Sequence, residues 1–152
     1  MGTKRIGLAR VTSLIENLKR DLDMGNTALS GMSQKVVSKT SSYSLTAAMS
    51  GEVHVLSGGS AVTATLPSLT AGLSYTIIVG DTAEHVITGG ASKIYYAGWF
   101  GADAASATID HHDEVSTLTL NSGGINDRIE IRCDGTNWYV NGITRFTMDA
   151  SS

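Results

Sequence analysis

Cysteine, proline, aromatic side chains and long apolar runs are all scarce in this 152-residue chain. With Cys133 the one thiol, no intrachain disulfide framework can form, and no Cys/His set has the spacing of a structural zinc site. No apolar stretch approaches the roughly 20 residues that span a bilayer, so a membrane-spanning role is not expected. Arg10, Glu16, Lys19 and Arg20 interrupt every N-terminal stretch that could act as a signal-peptide core, and Ile6 stands where a myristoylation site wants Ser or Thr. A single proline beside 17 glycines and 35 Ser/Thr residues favours β-structure with many turns over a helical bundle. About 150 residues suffice for one domain whose core needs neither metals nor crosslinks.

Charge is uneven along the chain. Residues 1–40 hold seven Lys/Arg against three Asp/Glu, whereas residues 41–152 hold four against eleven. Lys4, Arg5 and Arg10 could neutralise phosphates, but no aromatic is interleaved with them, and a basic arm on an acidic chain equally suits an acidic protein surface. Nucleic acid is therefore not the expected partner.

The strongest periodicity lies near the N-terminus. Leu8, Val11, Ile15, Leu18 and Leu22 are spaced 3, 4, 3, 4, which predicts one apolar stripe of an α-helix from Ile6 to Leu22. Thr3 can cap its start, Glu16 precedes Arg20 by four residues, and Gly25 can end it. Such a helix is marginal alone, so its stripe must be buried against copies of itself, a partner surface or its own domain. The candidate interface residues are Arg5, Leu8, Arg10, Val11, Ile15, Leu18 and Leu22.

Residues 26–42, rich in Gly, Ser and Thr, read as a linker with a short extended piece at Lys35 to Lys39. The expected organisation is a helix over 1–25, a linker over 26–42 and a β-rich domain over 43–152. Short alternating segments fill the last part, divided by turns such as Ser57-Gly58-Gly59 and Gly89-Gly90. Close turns imply mainly antiparallel pairing, so the fold class is mainly β: an antiparallel β-sandwich or jelly-roll-like domain preceded by one amphipathic helix. No internal repeat is evident.

The final hairpin is the clearest local feature. Ile129, Ile131 and Cys133 alternate with Arg128, Glu130 and Arg132, the turn Asp134-Gly135-Thr136-Asn137 reverses the chain, and Trp138 and Val140 return on the apolar face. Trp138 reads as a core anchor, with a sugar-stacking platform as the alternative.

Catalytic signals are weak. Asp110, His111, His112, Asp113 and Glu114 form the densest cluster of potential ligands, but adjacent strand residues point to opposite faces, and the segment reads as a solvated loop. His54 and His85 are isolated in strand-like segments and are expected to be surface or partly buried rather than catalytic. Cys133 could meet a histidine, yet it lies on an apolar strand face without an activating motif. No phosphate-cradling glycine loop is present. A small hydrolase would rest on the 110–114 cluster alone, so neither an enzyme nor a cofactor is expected. Tyr95, Tyr96, Trp99 and Phe100 place four aromatics within six residues, a patch that strand alternation would divide between core and surface.

KRIGLARVTSLIENLKRDL at the start, LPSLTAGLSYTIIVG in the middle and DRIEIRCDGTNWYVNG near the end resemble virion structural proteins of tailed bacteriophages. The likeness is strongest to small head-decoration, or cement, proteins and to related fibre proteins. The resemblance implies a β-rich, often trimeric module on the outer capsid surface that binds the major capsid protein and reinforces the shell. The alternative it implies is a fibre or spike module binding a host surface glycan through the aromatic patch. It supplies no family active site.

Overall fold

The computed structural model describes residues 7, 10–13, 33–89, 94–100, 108–120, 124–145 and 149–151. The chain divides into two units, residues 1–33 and 34–152. In the first, Arg10 to Ser13 form a single helical turn whose Arg10 and Val11 amides bond the Gly7 carbonyl at 2.9 and 3.3 Å. The long amphipathic helix expected here is thus seen only as this turn. Val11 is 39% exposed, so it has not gained the burial that a marginal helix needs. Arg10 is exposed too, while Arg5, Leu8, Ile15, Leu18 and Leu22 lie outside the described residues.

The second unit is mainly β, with two mixed sheets. Its strands are β1 (Val36–Lys39), β2 (Tyr43–Ser44), β3 (Val53–Leu56), β4 (Thr63–Thr65), β5 (Ser74–Val79), β6 (His85–Thr88), β7 (Ile94–Phe100), β8 (Thr108–Val115), β9 (Thr117–Leu120), β10 (Arg128–Cys133), β11 (Trp138–Thr144) and β12 (Asp149–Ser151). The larger sheet has the order β1-β3-β5-β10-β11-β7-β8 and the smaller β12-β9-β6-β4-β2. The extended piece inside the expected linker is therefore a sheet strand: β1 pairs with β3, Val36 opposite Val53.

Parallel pairing is as frequent as antiparallel, against the expectation from the turns. From β1 to β6 the chain alternates between sheets, so β1, β3 and β5 stack in parallel in one and β2, β4 and β6 in the other. Residues 36–88 thus make three stacked turns of a coil. The last two turns match residue for residue, since Val53 lies opposite Thr76 and Thr63 opposite Val86, both 23 positions on. The first turn is shorter at its corner: Val36 meets Val53 after 17 residues and Tyr43 meets Ala64 after 21.

Ser57-Gly58-Gly59 is a corner of this coil rather than a hairpin tip. At the β3–β4 corner Gly58 has φ 119°, and a Cβ there would lie 3.0 Å from the Thr40 Cβ of the turn before. A true hairpin closes the chain where the sequence places it. β10 and β11 pair from Cys133–Trp138 to Arg128–Ile143, and Asp134 Oδ1 accepts the Thr136 and Asn137 amides at 2.7 and 2.8 Å.

Strand alternation builds the core. Leu56, Tyr75, Ile77 and Val79, then Ile94 and Tyr96, Ile129, Ile131 and Cys133, and Trp138 and Val140 are buried from the larger sheet. Ala64, Ile87, Leu118 and Leu120 come from the smaller sheet and belong to the same cluster. Trp138 is fully buried, 6.2 Å from the Tyr75 ring. β11 runs through Asn141-Gly142 to Thr144. A side chain at Gly142 would collide with the Arg128 carbonyl and Ile129, so this glycine lets β10 and β11 approach.

Candidate functional site

The outward face of the larger sheet concentrates the exposed chemistry. Register aligns three rows across β8, β7, β11 and β10. The first holds Ile109, Trp99, Ile143 and Arg128, and the second His111, Ala97, Asn141 and Glu130. The third holds Tyr95, Tyr139 and Arg132; β8 shifts register opposite Tyr95, and Asp113 lies 3.2 Å from His111 on the same face. Ile109, Trp99 and Ile143 are 60%, 54% and 70% exposed, a contiguous apolar row on a sheet surface. Tyr95 stacks on Tyr139 at 5.8 Å, and their hydroxyls donate to Glu114 Oε1 at 2.9 Å and Asp134 Oδ2 at 3.1 Å. Glu130 joins Arg128 at 3.2 Å and Arg132 at 3.6 Å.

Between the apolar and tyrosine rows, Ala97 is too small to fill its place. The result is an open depression of ≈ 530 Å³ lined by Ala97, Trp99, Arg128, Glu130, Asn141 and Ile143. A smaller one of ≈ 230 Å³ continues across β10 to Ser74 and Thr76. The face therefore offers an indole, aliphatic surface and both signs of charge. The expected aromatic patch is split as alternation requires: Tyr95 and Trp99 face outward, Tyr96 is buried, and the Phe100 side chain lies outside the described set. Tyr139, which the sequence reading missed, completes the face. Its alternation with the core residues Trp138 and Val140 was the available signal.

The 110–114 cluster is not a loop. It lies in β8, the edge strand of the larger sheet, where charge discourages pairing with another strand. His111 meets Asp113 at 3.2 Å on the outside, while His112 stacks on Tyr96 at 6.1 Å. Among the described residues no group of three His, Cys, Asp or Glu side chains could hold a metal. Cys133 is buried, its Sγ accepting the Gly135 amide at 3.3 Å.

His54 and His85 are not at the surface; both are fully buried. His85 Nδ1 accepts the Val62 amide at 3.2 Å, which leaves Nε2 as donor to Asp81 Oδ1 at 3.0 Å. Asp81 also accepts the Gly59 and Ala83 amides at 2.7 and 2.8 Å. Burial works against its charge, but those amides and His85 hold its carboxyl below the usual range. This pair is structural: it ties one turn of the coil to the next.

His54 lies under the β1 edge, stacked on Tyr43 at 5.4 Å, with Glu52 3.5 Å from Nε2. Among the described residues, neither its ring nitrogens nor the Tyr43 hydroxyl has a hydrogen-bond partner. Lys39 stands 4.5 Å above the Tyr43 ring, and Lys35 bonds Glu52 at 2.6 Å. Burial pushes the His54 pKa down, with Lys39 adding to it, and burial raises that of Tyr43. The arrangement fits a neutral imidazole held in the interior, not a proton shuttle open to substrate.

Compared with known proteins, the chain matches no family model and no curated protein.

Proposed function

We propose that the chain is a virion structural protein of a tailed bacteriophage, a decoration protein that binds the outside of the head and reinforces the shell. The observation that carries this reading is the division at Ser33 and Gln34. Residues 1–33 hold five Lys/Arg against three Asp/Glu, and residues 34–152 hold six against eleven. A basic segment serves as the arm that engages the major capsid protein and neighbouring subunits, and an acidic β-unit with its own core serves as the cover. Arg10 and Val11, both exposed on the described helical turn, suit such an arm. The resemblance of the opening, central and closing segments to decoration proteins supports the same role, with a homo-oligomer, expected to be a trimer, on the capsid surface. One core shared by both sheets supports a β-sandwich for the cover.

Deleting residues 1–33 tests this reading. Capsid binding is expected to be lost while the remaining chain still unfolds cooperatively. A truncated chain that coats capsids at full occupancy overturns it.

A second reading, a fibre or spike module binding a host surface glycan, draws on Trp99, Tyr95 and Tyr139 sharing one exposed face around Asn141 and Glu130. A glycan array tests it, and silence at high protein concentration counts against it.

A further inference from the structure

The outward face of the larger sheet has properties that a sugar does not require. Its apolar row is aliphatic on both sides of Trp99, and its acidic, basic and imidazole groups stand on the two outer strands of the four. β10 presents Arg128, Glu130 and Arg132, whereas β8 presents His111 and Asp113. The two columns flank the β7–β11 pair symmetrically in the order β10-β11-β7-β8. We propose that this face binds a second copy of the chain about a two-fold axis running along the strands between β7 and β11. The proposal stands independently of the virion reading.

Such an axis exchanges β7 with β11 and β8 with β10 while keeping each row at its own height, the isologous condition in which residue i meets j and j meets i. Because Trp99 and Ile143 are register partners, each faces the other's counterpart across the interface. Ile109 then lies against the aliphatic stem of Arg128, the rows place His111 opposite Glu130, and Asp113, next to His111 on the same column, comes toward Arg132. Of the facing pairs, Trp99 with Ile143 is apolar with apolar, His111 with Glu130 and Asp113 with Arg132 set an acid against an imidazole or a guanidinium, Ile109 meets Arg128 only through its stem, and Ala97 with Asn141 and the tyrosine row are uncharged. Sheets packed face to face cross at about 30°. With strands ≈ 4.8 Å apart the outer columns lie roughly 7 Å from the axis, so facing rows there slip by about 4 Å, within the reach of arginine. A patch of four strands by three rows is smaller than the ≈ 800 Å² per partner of a standard interface, so the association belongs to the weak, concentration-dependent class.

The test is sedimentation equilibrium of the full-length protein from about 10 µM to about 1 mM, with charge exchange across the two facing columns. The wild type is expected to move toward twice its starting mass, and its tryptophan emission to shift to the blue as Trp99 loses water while buried Trp138 stays unchanged. Arg132→Glu sets two like-charge contacts against Asp113 and should raise the dissociation constant about tenfold or more. Arg132→Glu combined with Asp113→Arg should bring it back to within about threefold of wild type. Thermal melts confirm that both variants fold. A mass that does not rise with concentration overturns the proposal, as does an assembly indifferent to both substitutions, which would place self-association elsewhere. A protein that stays monomeric while a glycan shifts the Trp99 emission also overturns it and gives the face to a sugar.

Discussion

The ring of His85 is held between two turns of the coil: Nδ1 takes the Val62 amide at 3.2 Å, and Nε2 turns to Asp81 Oδ1 at 3.0 Å. Asp81 then reaches back to the Gly59 amide at 2.7 Å. Two side chains from one corner thus satisfy two backbone donors of the preceding corner, which parallel strands alone leave unpaired. Replacing Asp81 with Ala leaves a buried imidazole donor and two amides without acceptors. The expected cost is about 2–3 kcal/mol in urea unfolding, with Asp81→Asn losing less because its carbonyl still accepts.

The same carboxylate makes stability depend on pH in the acid range. Its folded pKa lies below the unfolded one, so its contribution is present above the unfolded value and is lost as pH falls through the folded value. Thermal midpoints between pH 5 and pH 2 should fall more steeply for the wild type than for Asp81→Ala.

His54 acts at milder pH with the same sign. Burial holds its folded pKa below the unfolded value near 6.5, so the unfolded chain takes up the proton first. Stability is expected to drop as pH falls from about 7 toward the folded pKa. His54→Leu removes the titration and should flatten that limb of the melting curve. An unchanged slope would show that protonation of His54 does not set it.

The two tryptophans predict opposite outcomes. Trp138 is fully buried against Tyr75, so Trp138→Ala opens a large cavity and should cost about 3–5 kcal/mol. Trp99 is 54% exposed, and Trp99→Ala should stay within about 0.5 kcal/mol of wild type at concentrations where the chain is monomeric. Urea titrations with far-ultraviolet dichroism compare the two directly.

Gly142 lies inside β11, opposite Ile129 of β10. Its added Cβ would meet the Arg128 carbonyl and Ile129, so Gly142→Ala should cost about 1–3 kcal/mol through displaced backbone in the β10–β11 ladder. Hydrogen exchange of the Arg128–Cys133 amides should show the loosening locally.

Features that need only neighbours along the chain are legible in the residues themselves. The alternation of Ile129, Ile131 and Cys133 with charged residues fixes which face of β10 is buried, and Asp134-Gly135 fixes the turn that pairs β10 with β11. The same period assigned Trp138 to the core and divided Tyr95 from Tyr96. Tertiary structure alone decided where each glycine corner sends the chain. Ser57-Gly58-Gly59 can close a hairpin or carry the backbone to the other sheet, and its sequence satisfies the backbone angles of both. The stacking of Gly58 on Thr40 and of β3 on β1 selects the second, a choice made by residues 18 and 17 positions apart. That is also why the 23-residue repeat went unseen: it preserves strand positions and corner geometry while the residues change, Val62 in one turn answering to His85 in the next. For the apolar stripe near the N-terminus, period 3.6 specifies which side chains would share a face, but the stability of so short a helix depends on what buries that face, and burial is not written in the segment itself.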